Sequence, residues 1–206
     1  MSALLLDFDG TLVNSQGRLY RLFRALCPEC RMSYDEYWAV KRRRISQAEM
    51  LKRHFGYDDG AARRFHEAWL EHVEDEEAVG TDFPVDGMDG RLRALSARHD
   101  LYLVTARQKP ELVARQVERF GWRGLFRDLV VTRQARGKAE AVRERLGAVP
   151  GGALVGDTGE DVKTAKELGL RSVAVGWGIL SPEVLAEYRP DYIAERIEDL
   201  DNCPFI

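Results

Sequence analysis

Cysteine is scarce in this 206-residue chain: there are three, an odd number that fits a reducing compartment better than a disulfide framework. No apolar run approaches the length of a membrane span. A surplus of positive charge is missing as well. At a formal charge of −3 the chain offers no broad cationic surface to a nucleic-acid backbone or an anionic membrane, so affinity for acidic ligands has to be local. Internal repeats and low-complexity segments are absent. The N-terminus shows neither the basic start nor the small-residue cleavage site of a secretory leader; it enters an apolar run within three residues and carries Asp7 and Asp9 directly behind it. These absences predict a cytoplasmic globular protein, monomer or homodimer, with no nucleic-acid and no membrane partner.

What is present, 45% hydrophobic and 32% charged residues, suffices for one good core and a small accessory module. From Arg18 to about Val79 the pattern is helical, with apolar positions Leu19, Leu22, Phe23 and Leu26, then Tyr34, Tyr37 and Trp38, and later Phe65, Ala68, Trp69 and Val73 recurring at helical spacing. Most of those aromatics are expected to form this segment's own core. Elsewhere short, nearly all-apolar runs alternate with amphipathic segments. Helices are expected near 88–98, 110–121, 138–146 and 160–168, and strands at 101–104, 129–131, 153–155 and 172–175. Such alternation predicts an α/β fold with a Rossmann-like parallel sheet flanked by helices, interrupted by an all-helical insertion. The expected boundaries are 1–14 and 83–206 for the α/β core and 15–82 for the insertion.

Four carboxylates carry the chemistry. Asp7 and Asp9 follow the run Ala3, Leu4, Leu5, Leu6, while Asp157 and Asp161 follow Ala153, Leu154 and Val155. If the two runs are neighbouring parallel strands, four negative charges converge in one cleft, which is costly unless a hard divalent cation sits among them. The clustering predicts Mg²⁺. A carboxylate can also attack phosphorus to form an acyl phosphate, and a second carboxyl nearby can serve as acid and base. Gly10 stands where the backbone has to turn sharply. Other candidate ligands are weaker. Cys27 and Cys30 form a lone C-x-x-C with no second ligand pair, and read better as semi-buried thiols on or beside a helix. His54, His66 and His72 have no partners at metal spacing, and the acidic stretch Glu71, Glu74, Asp75, Glu76, Glu77 reads as a solvated helix end.

The segment Asp7-Phe8-Asp9-Gly10-Thr11 resembles the first motif of the haloacid dehalogenase-like hydrolases. Thr105 at a strand end is similar to the family's second motif, Lys138 at a helix start to its third, and Gly156-Asp157-Thr158-Gly159-Glu160-Asp161 to its fourth, in matching order. The helical insertion after the first motif resembles the family's cap. This resemblance implies a Mg²⁺-dependent phosphatase with Asp7 as nucleophile and Asp9 as general acid and base. It implies a metal held by Asp7, the backbone carbonyl of Asp9 and Asp157, with Asp161 supporting it directly or through water. Thr105 and Lys138 would bind the phosphoryl group together with Gly10, Thr11 and Ala106. Dehalogenases of the superfamily lack the second aspartate, so Asp9 argues for phosphorus over halide.

The stretch Phe83-Pro84-Val85-Asp86-Gly87-Met88 resembles the cap return of phosphoglycolate phosphatase-like members, which implies a small phosphorylated metabolite as substrate. The chain departs from that subgroup at Thr105-Ala106-Arg107-Gln108-Lys109-Pro110, where Arg107 stands ahead of the usual Lys-Pro. A sugar-phosphate phosphomutase or a non-catalytic binding protein on the same fold are the alternatives. Specificity is expected to come from the cap. There the run Lys41-Arg42-Arg43-Arg44 is either a solvated helix face or, through Arg42, Arg43 or Arg44, a partner for a second anionic group on the substrate.

Overall fold

The structure is a computed structural model that describes residues 2–149 and 151–206. In chain order its elements are β1 (Ser2–Leu6), β2 (Val13–Asn14), α1 (Gln16–Leu26), α2 (Tyr34–Lys41), α3 (Gln47–Phe55), α4 (Asp59–His72), α5 (Glu76–Val79) and β3 (Phe83–Pro84). These are followed by α6 (Met88–Ser96), β4 (His99–Thr105), α7 (Pro110–Arg119), β5 (Phe126–Val131), α8 (Lys138–Leu146) and β6 (Gly152–Gly156). The chain ends with α9 (Gly159–Leu168), β7 (Arg171–Val175), α10 (Pro182–Ala186), β8 (Tyr192–Ala194) and a final 3₁₀ turn. It divides into two compact units, Met1–Asn14 with Phe83–Ile206, and Ser15–Asp82. No helix among the described residues is long and apolar enough to cross a membrane.

In the first unit six of the strands form one sheet in the order β5-β4-β1-β6-β7-β8, every pairing in it parallel. Parallel strands covered on both faces need apolar residues at every position, which is why β1 reads as an unbroken Leu4, Leu5, Leu6, all buried. Alternation then sends them to opposite faces. Leu4 and Leu6 pack with Leu101, Leu103, Val155 and residues of α6 and α7, whereas Leu5 packs with Val104, Leu154, Ala141 and Val142 of α8 and Ala165 of α9. The strand order reverses at β1: β4 and β5 extend to one side, β6 to β8 to the other. That switch point leaves a crevice beyond the carboxyl ends of β1, β4 and β6.

Two pieces of the unit differ from the sequence-based expectation. A two-stranded antiparallel pair, β2 with β3, joins Val13 to Pro84 and Asn14 to Phe83, bringing the two ends of the insertion's flanks together. β8 adds a sixth strand to the sheet. Two- and three-residue strands hold no full hydrophobic period, so pattern alone does not reveal them.

The second unit, α1 to α5, is helical throughout. Its core centres on Phe23, fully buried, with ring centroids 4.9 Å from Tyr37 and 5.3 Å from Phe65, and Met50 and Leu51 are buried alongside. Tyr34, expected in that core, is 38% exposed; its hydroxyl donates to Gln16. Ser33, Ser46 and Asp58 each accept a hydrogen bond from the backbone N–H three residues on, so α2, α3 and α4 begin where side-chain caps are available. Cys27 and Cys30 are free thiols, both fully buried where semi-buried ones were expected, and burial pushes the Cys27 thiol up.

Near the entry to this unit Arg18 donates from Nε to both oxygens of Asp82 at its exit, at 3.0 Å, and from Nη1 to the carbonyl of Val73. Both charged side chains are almost wholly buried. Removing one partner of a buried ion pair strands the other charge, so Asp82→Asn is expected to lower stability by about 3–5 kcal/mol. Urea unfolding followed by circular dichroism measures this; a loss below about 1 kcal/mol, the level of an exposed pair, contradicts it.

Candidate active site

The crevice at the switch point is built from the first residues after three strands and the first turns of two helices. Asp7 follows β1 and continues its ladder, its N–H donating to the Val155 carbonyl at 2.9 Å. It has the same parity along the strand as Leu5, whose face is covered by α8 and α9. Those two helices carry Lys138 and Asp161 in their first turns. The ammonium of Lys138 donates to Asp7 Oδ1 at 2.5 Å and to Asp161 Oδ1 at 2.6 Å. Asp157, after β6, completes the group: Asp7, Asp157 and Asp161 can each offer an oxygen within 4.8 Å of the others, and all three are buried.

Asp157 Oδ2 accepts the Ile179 N–H at 2.7 Å. The Thr11 hydroxyl, itself buried, lies 3.3 Å from Asp7 Oδ2 and 3.4 Å from Asp157 Oδ1, spanning the two carboxylates. Gly10 is required here. Its φ of +81° disfavours any L side chain, and a Cβ would lie 2.2 Å from Asp157 Oδ2.

Charge is unbalanced in this pocket. Were all three carboxyls ionised, they and the one ammonium would leave a net of −2 out of reach of solvent. Burial, only partly opposed by Lys138, raises the Asp7 carboxyl to about 7, with Asp161 and Asp9 pushing the same way. Asp157 is raised well above the ordinary carboxylate range, first by burial and then by Asp7 and Asp161. Burial works against the charge of Lys138, but Asp161 and Asp7 outweigh it and hold the amine above the ordinary lysine value. A hard divalent cation would carry the missing charge and takes oxygen ligands, so the donor set fits Mg²⁺ or a similar ion.

Asp161 has a second task. Its Oδ2 accepts from the N–H and hydroxyl of Thr158 at 3.0 and 2.6 Å, forming a reciprocal cap on α9, while its Oδ1 holds Lys138. Both oxygens thus have protein donors.

Asp9 takes a different direction from Asp7. The chain leaves the extended path after β1, and Asp9 forms an isolated bridge to Val13 just before the turn at Gly10. Its carboxylate accepts a fork from Arg107, Nε to Oδ2 at 2.5 Å and Nη2 to Oδ1 at 2.7 Å. Arg107 follows β4 and is 5% exposed, and its N–H donates to the Thr105 hydroxyl at 3.3 Å. In sequence Arg107 stood out only as a departure from a subgroup pattern. Its pairing with a residue 98 positions away has no local signal. Ala106 lies between Thr105 and Arg107 on the same loop. Arg42, Arg43 and Arg44 belong to the helical unit, where α2 ends; Arg43 and Arg44 are exposed, and Arg44 has a left-handed φ of 65°. His54, His66 and His72 are exposed on α3 and α4.

The comparisons with known proteins agree with this architecture. Over its full length the chain is similar to a phosphoglycolate phosphatase of Synechococcus elongatus, 28% identical over 97% of this chain and 95% of that one. It is also similar to the pyrophosphatase PpaX of Oceanobacillus iheyensis, 23% identical over 96% and 94%. Among solved structures, the hydrolase SP0104 of Streptococcus pneumoniae superposes with a TM-score of 0.79 at 20% identity, over 98% of both chains, which is a likeness of fold. Residues 4–175, from β1 through β7 and including all four motif segments, match the family described as haloacid dehalogenase-like hydrolase, and to that family the chain belongs.

Proposed function

We propose that this protein is a Mg²⁺-dependent phosphatase that hydrolyses a small phosphomonoester through an aspartyl phosphate on Asp7. The observation that carries the reading is the buried Asp7 carboxyl at the end of β1, held by Lys138 within a group of three buried carboxyls, Asp7, Asp157 and Asp161. The named relatives act on a phosphate ester in one case and a phosphate anhydride in the other, which supports hydrolysis at phosphorus as the shared chemistry. Both are hydrolases, which favours water over a sugar hydroxyl as the final acceptor.

The ion would be held by Asp7, Asp157 and the backbone carbonyl of Asp9, and when bound it supplies the positive charge that lets an anionic nucleophile and an anionic phosphate approach. In the first step an Asp7 oxygen bonds to phosphorus and the bond from phosphorus to the leaving oxygen breaks. Asp9 donates its proton to that oxygen. In the second step Asp9 takes a proton from water as the water oxygen bonds to phosphorus, releasing phosphate and the free Asp7 carboxylate. Lys138 holds Asp7 in position and neutralises charge on the transferring group, and the Thr105 hydroxyl donates to a phosphoryl oxygen. Gly10, Thr11 and Ala106 line the phosphate site in this reading, with Thr11 also fixing the distance between Asp7 and Asp157.

Hydrolysis of p-nitrophenyl phosphate is expected to need added Mg²⁺ and to stop with chelator. Asp7→Asn should lower it by roughly a thousandfold or more, and Asp9→Asn by about a hundred- to ten-thousandfold. Turnover that survives chelation or Asp7→Asn contradicts the reading. A second expectation concerns the metal-free protein. Lys138→Met leaves three buried carboxylates without a counter-charge and should destabilise by about 3–5 kcal/mol at pH 8. A carboxyl whose folded pKa lies above its unfolded value takes up a proton on folding, so its cost is absent below 3.8 and complete only above the folded value, which for Asp7 is about 7 with Lys138 present and higher once that lysine is gone. The destabilisation should therefore shrink toward pH 5. Urea unfolding at the two pH values tests this, and an equal loss at both counts against it.

A further inference from the structure

Arg107 sits on the residue that meets the leaving group. Its guanidinium forks both oxygens of Asp9, lies with Cζ 5.8 Å from the centre of the buried Phe8 ring, and is 5% exposed. Its backbone is fixed on two sides, the N–H on the Thr105 hydroxyl at 3.3 Å and the carbonyl accepting from Arg133 N–H at 3.0 Å. A cation in this position is costly for an acid–base residue, because a guanidinium fork engages a lone pair on each carboxylate oxygen and fixes the carboxylate's plane, so turning Asp9 toward a substrate oxygen breaks the fork. A neutral leaving group gives Arg107 nothing in exchange when Asp9 turns away. A leaving group with an anion of its own does, since a planar fork that fits one carboxylate fits another carboxylate or a phosphate equally well.

We infer that Arg107 is a specificity-determining residue that binds a second anionic group on the leaving group, with the Asp9 side chain occupying that anion's place in the free protein. The inference rests on the phosphatase reading and narrows its substrate. The favoured class is a small phosphorylated compound with a carboxylate or phosphate within two or three bonds of the scissile oxygen. Asp9 is released to the leaving oxygen more readily when the substrate supplies a replacement partner for Arg107 than when it does not. The selection is made by the core loop after β4, independently of anything the Arg42, Arg43 and Arg44 run contributes.

The test compares kcat/KM for 2-phosphoglycolate, pyrophosphate and p-nitrophenyl phosphate in the wild type, Arg107→Gln and Arg107→Lys. The wild type should prefer one or both anion-bearing substrates by about tenfold or more, and the two arms tell a carboxylate from a phosphate as the group read. Arg107→Gln should reduce that ratio by about tenfold or more, with Arg107→Lys recovering part of it because charge returns without the fork. Calorimetry adds a readout that needs no turnover: methylenediphosphonate should bind the wild type about tenfold more tightly than methylphosphonate, and lose that advantage in Arg107→Gln. If p-nitrophenyl phosphate is hydrolysed but the ratio shifts less than about threefold, the role of Arg107 is refuted while the phosphatase stands. Equal affinity of the wild type for the two phosphonates refutes it even where no substrate turns over.

Discussion

One electrostatic constraint organises this molecule: three carboxylates and one ammonium buried together at the end of a parallel sheet. Such a group is stable in isolation only at a cost, visible in the raised carboxyls of Asp7 and Asp157. The same imbalance is what a divalent cation among these oxygens would relieve, and the proposed phosphatase chemistry draws on it. Stability is here traded against readiness for chemistry.

Topology delivers the constraint. Each acidic side chain lies just past a strand end or in a first helical turn, and the reversal of strand order at β1 opens the crevice into which they project. Because Leu5 and Asp7 share parity, the helices that cover Leu5 are the same ones that bring Lys138 and Asp161 to Asp7. Core packing and site assembly are one event, so a register slip in β1 would lose both. Gly10 tightens the arrangement further, since any Cβ there would drive Asp157 out.

Much of this was legible in the sequence because its signals are local. An apolar run of four residues before Asp7, one of three followed by Gly156 before Asp157, and helices starting at Lys138 and near Asp161 pointed to both the fold class and the cluster. Elements without a full period escaped: β2, β3 and β8 are two or three residues long. Tyr34 sits at helical spacing yet faces solvent, because spacing identifies a face without saying how far the burial extends around it. The fork of Arg107 on Asp9 escaped for a different reason. It joins two loops from separate strands, and only the completed sheet brings them together. Asp161 was legible as part of the charged cluster, and one of its oxygens serves that purpose while the other caps α9.

The charge balance itself can be weighed by titrating metal-free protein with Mg²⁺ in a calorimeter, in buffers of different ionisation enthalpy. With Asp7 raised to about 7, the ion has to displace a proton whenever the pH lies below that value. The account predicts one ion per chain, proton release that grows as the pH falls from about 8 to about 6, and loss of the binding in Asp157→Asn. Binding with no proton release across that range, or binding that survives Asp157→Asn unchanged, would contradict it.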